Sequence, residues 1–197
     1  MASRVTTRGG PADGELVQRV VRGDAAAFGP IVQRYQDRLY NTVYRMVGSA
    51  EDARDLVQDV FVKAYENLAT FQGTSSLYTW LFRIAVNASL SHRRKRRTVR
   101  VVNPGGGEDG DGSDGWPDRD LQDPAGRLLA AETEAAVQQA LDSLDEEHRT
   151  VVVLRDVQHC DYREMAEILG VPAGTVKSRL HRARLLLRDK LQPLLNA

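Results

Sequence analysis

The sequence predicts an all-α protein of two small helical domains joined by a flexible acidic linker. Three observations lead there. Apolar residues recur at helical spacing through most of the chain, and strand-like alternation is scarce. The stretch NPGGGEDGDGSDGWPDRDLQDP interrupts that periodicity with Gly and Asp and almost no apolar content. Finally, Tyr162–Arg184 reads YREMAEILGVPAGTVKSRLHRAR, two short amphipathic runs either side of Gly170.

Residues 1–11 lack apolar periodicity and are expected to be disordered. A first helix begins near Asp13, with Leu16, Val20 and Val21 on one side. Asp24 is the expected N-cap of a second helix that reaches Val47. Its stripe includes Phe28, Ile31, Val32, Tyr35, Leu39, Val43 and Met46. A third helix, about 50–68, starts acidic and carries Leu56, Val57, Val60, Phe61, Ala64 and Leu68. After a polar loop at 69–76, a fourth helix runs from about Ser75 to Arg97, with Leu77, Leu81, Ile84 and Ala88 as its buried stripe. These elements form a first domain over 12–98. The linker covers 99–124. Helices at about 125–144 and 146–157 and the paired runs around Gly170 form a second domain over 125–197.

The length of 197 residues suits this division. No apolar run approaches the roughly 20 residues of a membrane span, so no membrane insertion is expected. MASRVTTRGGPADG has no apolar core of the kind a secretory signal needs. Cys160 is the one cysteine, which excludes an internal disulfide. Both readings point to the cytoplasm.

Formal net charge is +0, but the charges are segregated. Arg83 to Arg100 holds seven Lys/Arg and no acid; Asn103 to Pro124 holds seven Asp/Glu against Arg119. Ala173 to Lys190 holds six Lys/Arg against Asp189. Local fields, not the sum, decide whether a polyanion binds.

Around Gly170 the spacing is that of a helix-turn-helix. Ala166 allows close approach of two helices, Gly170 can take the positive φ that ends the first, and Val176 plugs the second onto it. Asp161 and Glu164 form a capping box for the first helix. On a wheel at roughly 100° per residue, Val176, Leu180, Ala183 and Leu187 share one stripe. Ser178, His181 and Arg182 point the opposite way, with Lys177, Arg179 and Arg184 at the flanks. Outward side chains of such a helix reach base edges in the major groove and flanking cations meet phosphates. A charged, solvated helix is the plain alternative for the basic run taken alone.

In the fourth helix, Trp80, Arg83 and Asn87 share a stripe, and Phe71 sits in the loop before it. Aromatic and amide groups beside cations suit unstacked bases. The competing reading makes Trp80 a core residue and 93–97 a solvated helix end favoured by the macrodipole. An enzyme or a metal or redox sensor built on His148, His159, Cys160 and Asp161 lacks a ligand pair at zinc spacing. A thiol just before a helix, as Cys160 is, is expected to have a lowered pKa.

Taken together these segments resemble the extracytoplasmic-function (ECF) sigma factors, the smallest sigma-70-type initiation factors, and among them the sigma-E type. The likeness runs from Glu15 to Leu195. GELVQRVVRGDAAAFGPIVQRYQDRLY is similar to the start of sigma region 2, and DARDLVQDVFVKAYENL to the helix that meets the RNA polymerase β′ clamp. FQGTSSLYTWLFRIAVN is similar to the −10 melting segment, and GTVKSRLHRARLLLRDKLQPLL to the −35 helix of region 4. The resemblance implies a sigma factor without catalytic activity, cofactor or metal. It places Lys63, Asn67, Phe71, Thr74, Ser75, Ser76 and Asn87 at the non-template strand of the −10 element, with Trp80 supporting the fold. Thr175, Lys177, Ser178, Arg179, His181 and Arg182 fall at −35 DNA, and Asp55, Gln58 and Asp59 at the β′ clamp of the RNA polymerase core. The linker would thread towards the polymerase channels. The excess of Leu185, Leu186, Leu191, Leu194 and Leu195 implies a surface for the β flap or for an anti-sigma factor. A helix-turn-helix regulator that does not bind polymerase core remains the alternative.

Overall fold

The computed structural model describes residues 12–102 and 124–195. The segments expected to be a disordered N-terminus and most of the linker lie outside them, as do the side chains of Leu194 and Leu195. Among the described residues there are α-helices and no strands: α1 (Asp13–Val21), α2 (Gly29–Val47), α3 (Ala50–Asn67), α4 (Leu77–Val102), α5 (Pro124–Asp142), α6 (Glu146–Val152), α7 (Tyr162–Leu169) and α8 (Ala173–Leu195).

The first four helices form a bundle whose inward stripes meet in one core. Ile31, Leu39 and Val43 of α2 face Val60 and Ala64 of α3, with Leu81, Phe82 and Ala85 of α4 against them. Two expectations shift here. Asp24 does not cap α2: a 3-10 turn, Ala25–Phe28, intervenes, and the Asp24 carboxylate accepts from Arg19 at 2.7 and 3.0 Å. In α4 the fully buried stripe is Leu81, Phe82, Ala85 and Ser89, while Ile84 and Ala88 are only half-buried. The helix turns this way because Phe82, the larger side chain, takes the core.

Helix ends follow local chemistry. Ser49 caps α3 by accepting from the Asp52 amide (3.3 Å), and Ser76 caps α4 by accepting from the Thr79 amide (3.0 Å). α2 stops at Gly48, which sits at φ 78° and donates to Tyr44 (2.8 Å). α4 continues past the expected end of the first domain at 98.

The second half is packed onto the first, and the buried apolar cluster is continuous across both. At the contact lies Arg149, only 1% exposed. Nε donates to Leu141 O (2.7 Å), Nη1 to Met46 O (3.0 Å), and Nη2 to Asp142 O (2.8 Å) and Leu144 O (3.0 Å). The Asp142 carboxylate lies 3.1 Å from Nη1. Met46 belongs to the last turn of α2, so one guanidinium closes the C-terminal end of the second half's first helix and the carbonyl end of α2 together. Arg93 of α4 donates to the same Met46 carbonyl at 2.8 Å.

After α6 the chain makes a π-helical turn, Val153–Val157, that the continuous helix expected at 146–157 did not foresee. Gln158 N then bonds Val153 O (3.0 Å) and Cys160 N bonds Leu154 O (3.0 Å), which puts both residues against the first bundle.

Arg149→Ala is expected to cost about 3–5 kcal/mol in urea unfolding, because it leaves the carbonyls of Leu141, Asp142 and Leu144 without their buried donor. Arg163→Ala, whose partner Glu167 lies one turn away and whose side chain is 87% exposed, should change stability by less than about 0.5 kcal/mol in the same assay.

Candidate nucleic-acid interface

The paired helices around Gly170 have the geometry the spacing predicts. Asp161 accepts from Arg163 N and Glu164 N, each at 2.8 Å, and the Glu164 carboxylate accepts from Asp161 N at 2.8 Å. Gly170 takes φ 67° and bonds Ala166 O (2.9 Å). Met165 and Ile168 are the inward residues of α7; Ala166 is half-buried. In α8, Val176, Leu180 and Ala183 are buried, so Lys177, Ser178, His181 and Arg182 are left facing solvent.

The outward set is not uniformly free. Lys177 Nζ lies 5.4 Å from the Tyr162 ring centroid. Ser178 Oγ donates back to Thr175 O (2.9 Å). Arg179 donates to Glu147 Oε1 at 2.9 Å and Arg184 Nε to Asp156 Oδ2 at 3.2 Å. His181 and Arg182 therefore stand as the most outward of the expected base-facing residues.

On the first bundle, Lys63 and Asn67 are exposed on the last turns of α3, and Asn67 Nδ2 bonds Lys63 O (2.8 Å). The loop that follows carries Phe71, half-buried, with its ring centroid 5.4 Å from that of Trp80. Thr74 is exposed and Ser75 half-buried. Ser76 spends its hydroxyl on the α4 cap and on Thr79 Oγ1 (2.8 Å), so its first role is to start the helix. Asn87 is exposed two turns beyond Trp80, with Arg83 between them on that side. Trp80 is half-buried on the core, as a supporting residue would be.

Asp55, Gln58 and Asp59 are all exposed on α3. Gln58 also lines a solvent-open groove of about 860 Å³ between α2 and α3, floored by Phe28, Val57 and Phe61. Val62 and Tyr65 on its wall are 51% and 45% exposed, and Tyr65 meets Phe28 edge to face at 5.2 Å.

Cys160 corrects an expectation. Its thiol is 1% exposed and lies 3.2 Å from Tyr78 Oη. Burial pushes it up to about 11, outweighing the Tyr78 hydrogen bond. The helix that follows does not lower it, because α7's first amides are taken by Asp161. Among the described residues no group of His, Cys, Asp and Glu is arranged to hold a metal.

Sequence comparison decides the family. Sigma-70 region 2 matches residues 31–99 and Sigma-70, region 4 matches residues 134–187. The RNA polymerase sigma-H factor of Pseudomonas aeruginosa is 38% identical over 186 residues, covering 93% of this chain and 95% of that one. The chain belongs to the sigma-70 family. Within it the likeness is to the ECF group: the ECF RNA polymerase sigma-E factor of Escherichia coli is 36% identical over 189 residues, 93% of this chain and 96% of its own length. Among solved structures, CnrH in complex with the cytosolic domain of CnrY superposes with a TM-score of 0.68 at 27% identity, over 93% of this sigma factor and 99% of that chain. The sigma factor RpoE in complex with the anti-sigma factor NepR from Bartonella quintana gives 0.65 at 28% identity, over 84% and 96%. The groove and the Asp55–Asp59 face therefore lie in region 2, and α8 lies in region 4.

What sequence reasoning missed is the contact between the regions. Arg38 of α2 lies over the Tyr78 ring at 4.3 Å and donates to Tyr78 Oη (3.1 Å) and Gln158 O (3.2 Å). Arg45 pairs with Glu134 at 2.6 Å. An arginine in the apolar stripe of α6 was the one available sign, at Arg149.

Gly170→Ala isolates backbone strain, since nothing lies within 4 Å of an added Cβ there. It should cost about 1–2 kcal/mol in thermal unfolding, from the left-handed conformation alone. Cys160 gives a pH prediction. A thiol held neutral contributes stability that is complete below its ordinary value of 9.0 and is lost as pH rises through about 11. The unfolding midpoint of wild type should therefore fall in that window more steeply than that of Cys160→Ala.

Proposed function

We propose that this sigma factor joins RNA polymerase core through region 2, captures the −10 non-template strand at the α3–α4 loop, and reads −35 duplex with α8. The observation that carries the reading is the presence of two separate outward faces on one chain. One is cationic and helical, with His181 and Arg182 at its crest; the other is aromatic and polar, at Phe71, Thr74, Ser75 and Asn87. The first fits a major groove, and the second fits bases taken out of a stack. Arg182 is the residue suited to a bidentate guanine contact, and Lys177 and Arg179 to phosphates. Lys63 and Asn67 extend the strand path along α3. Ser76 acts there through the α4 cap.

Core binding is assigned to Asp55, Gln58 and Asp59 beside the apolar groove of region 2. Carboxylates around an open apolar surface suit a basic helical partner, as the β′ clamp is in this family. That groove also speaks against a plain helix-turn-helix regulator, which has no use for it. The domains act as region 2 over 12–98, a linker over 99–124, and region 4 over 125–197. The protein works in the cytoplasm without catalytic activity of its own. An anti-sigma factor is assigned as its inhibitor, on the strength of the RpoE and CnrH complexes. Leu185 and Leu186, 40% and 45% exposed on α8, are the apolar surface offered to that inhibitor or to the β flap.

The deciding experiment is run-off transcription with core polymerase on a randomised promoter library. Failure to bind core in a pull-down, or to select any promoter, would overturn the reading. Arg182→Ala should weaken −35 duplex binding by about 1–3 kcal/mol and leave core binding unchanged. Asn87→Ala should impair promoter opening and −10 choice while sparing the −35 contact. Leu186→Asp should weaken association with the β flap or the inhibitor; no change in either removes that surface.

A further inference from the structure

The two arginines that flank the outward face of α8 are each held by an acid. At about 100° per residue, Arg179 and Arg184 lie on opposite flanks of the face formed by Ser178, His181 and Arg182. On one flank Arg179 Nη2 lies 2.9 Å from the Oε1 of Glu147, in the first turn of α6. On the other, Arg184 Nε donates to Asp156 Oδ2 at 3.2 Å, in the π-helical turn that follows α6. α6 packs against α8, so both carboxylates come from the scaffold behind the helix rather than from the helix itself. Lys177 differs: it rests on the Tyr162 ring, an uncharged partner, and keeps its full charge.

Glu147, Asp156 and Arg184 are exposed and Arg179 is half-buried, so the two ion pairs add little stability. Towards a polyanion they matter more. An arginine paired in this way approaches a phosphate together with its carboxylate. The pair carries no net charge, and it releases no counterion from the duplex unless it first breaks.

We propose that Glu147 and Asp156 are positioning residues that set how tightly α8 holds duplex DNA without altering which sequence it reads. Arg179 meets a phosphate only by leaving Glu147, and Arg184 only by leaving Asp156. Phosphates are common to every sequence, so the cost falls on specific and non-specific duplex alike. The share of binding that rests on base edges, through His181 and Arg182, is thereby larger than the six Lys/Arg of Ala173 to Lys190 suggest. The inference rests on the reading of −35 duplex by α8.

The test is a salt titration of the full chain on two labelled duplexes, one of mixed sequence and one carrying the −35 element selected from the promoter library. Glu147→Gln and Asp156→Asn should each raise affinity for both duplexes by about two- to fivefold, the range of one exposed ion pair. Each should also steepen the fall of log affinity with log salt by about one unit, the mark of one more cation on a phosphate. The factor between the two duplexes should stay at its wild-type value. In an Arg179→Gln background, Glu147→Gln should lose its effect, because no arginine is left to free. A gain that survives the loss of Arg179 is general charge removal and would overturn the proposal. Weaker binding by Glu147→Gln and Asp156→Asn, which mere loss of support for α8 would give, overturns it as well. A changed factor between the duplexes removes the affinity-only role. Duplex binding with unchanged salt dependence sinks this inference alone; if wild type and every variant bind neither duplex, the −35 reading falls and this inference with it.

Discussion

The arrangement of the two regions depends on one buried guanidinium. Arg149 carries its charge at 1% exposure, and isolated burial of such a charge is prohibitive. The fold makes it tolerable by directing four carbonyls and the Asp142 carboxylate at its fork of donors. Three of those carbonyls come from the end of α5 and the turn after it. The fourth comes from Met46, in the last turn of α2. That last bond carries the constraint across the chain: the carbonyl end of a region 2 helix is satisfied by a region 4 side chain. Gly48 then has to turn the chain away at once in the left-handed conformation, where an added Cβ would come to 3.0 Å from Asp142 Oδ2.

With that end fixed, the rest of the contact follows the shape of region 4. The π-helical turn after α6 places Gln158 and Cys160 on Arg38 and Tyr78, and α7 comes to lie along α4. α7 is therefore used on two sides, with Met165 and Ile168 in the core and its Glu167 carbonyl on Arg83. α8 is held on region 4's own core by Val176, Leu180 and Ala183, which leaves its His181 and Arg182 face outward. The duplex-reading face thus stays open while Arg83 of α4 bonds the Glu167 carbonyl of α7. The asymmetry fits a protein whose two faces meet DNA in different forms, one paired and one opened.

Much of this could be read from residue order. The capping box of Asp161 and Glu164, the positive φ of Gly170 and the inward Val176–Leu180–Ala183 stripe are local consequences of helix geometry, so neighbours within a turn fix them. The α4 stripe was read partly wrong, because Phe82 and Ile84 lie on nearly opposite sides of the helix and only the opposing helices choose which side turns inward. Asp24 was misread for a similar reason: a competing arginine five residues earlier takes the carboxylate. Ser76 was expected in the strand-binding loop, and the cap it makes there became visible only once the start of α4 was known.

The sequence by itself determined most of the helices, the turn at Gly170, the two regions and the outward set on α8, since period and spacing act within a few residues. Only the tertiary structure decided how the regions meet. Arg38 and Gln158 are 120 residues apart, and Arg149 and Met46 are 103 apart. No periodicity connects residues at such separations. It also decided the state of Cys160, whose position before a helix argues for an acidic thiol and whose burial against Tyr78 makes it a reluctant one. Desolvation is a property of what the rest of the chain places around a group, and that information is not local.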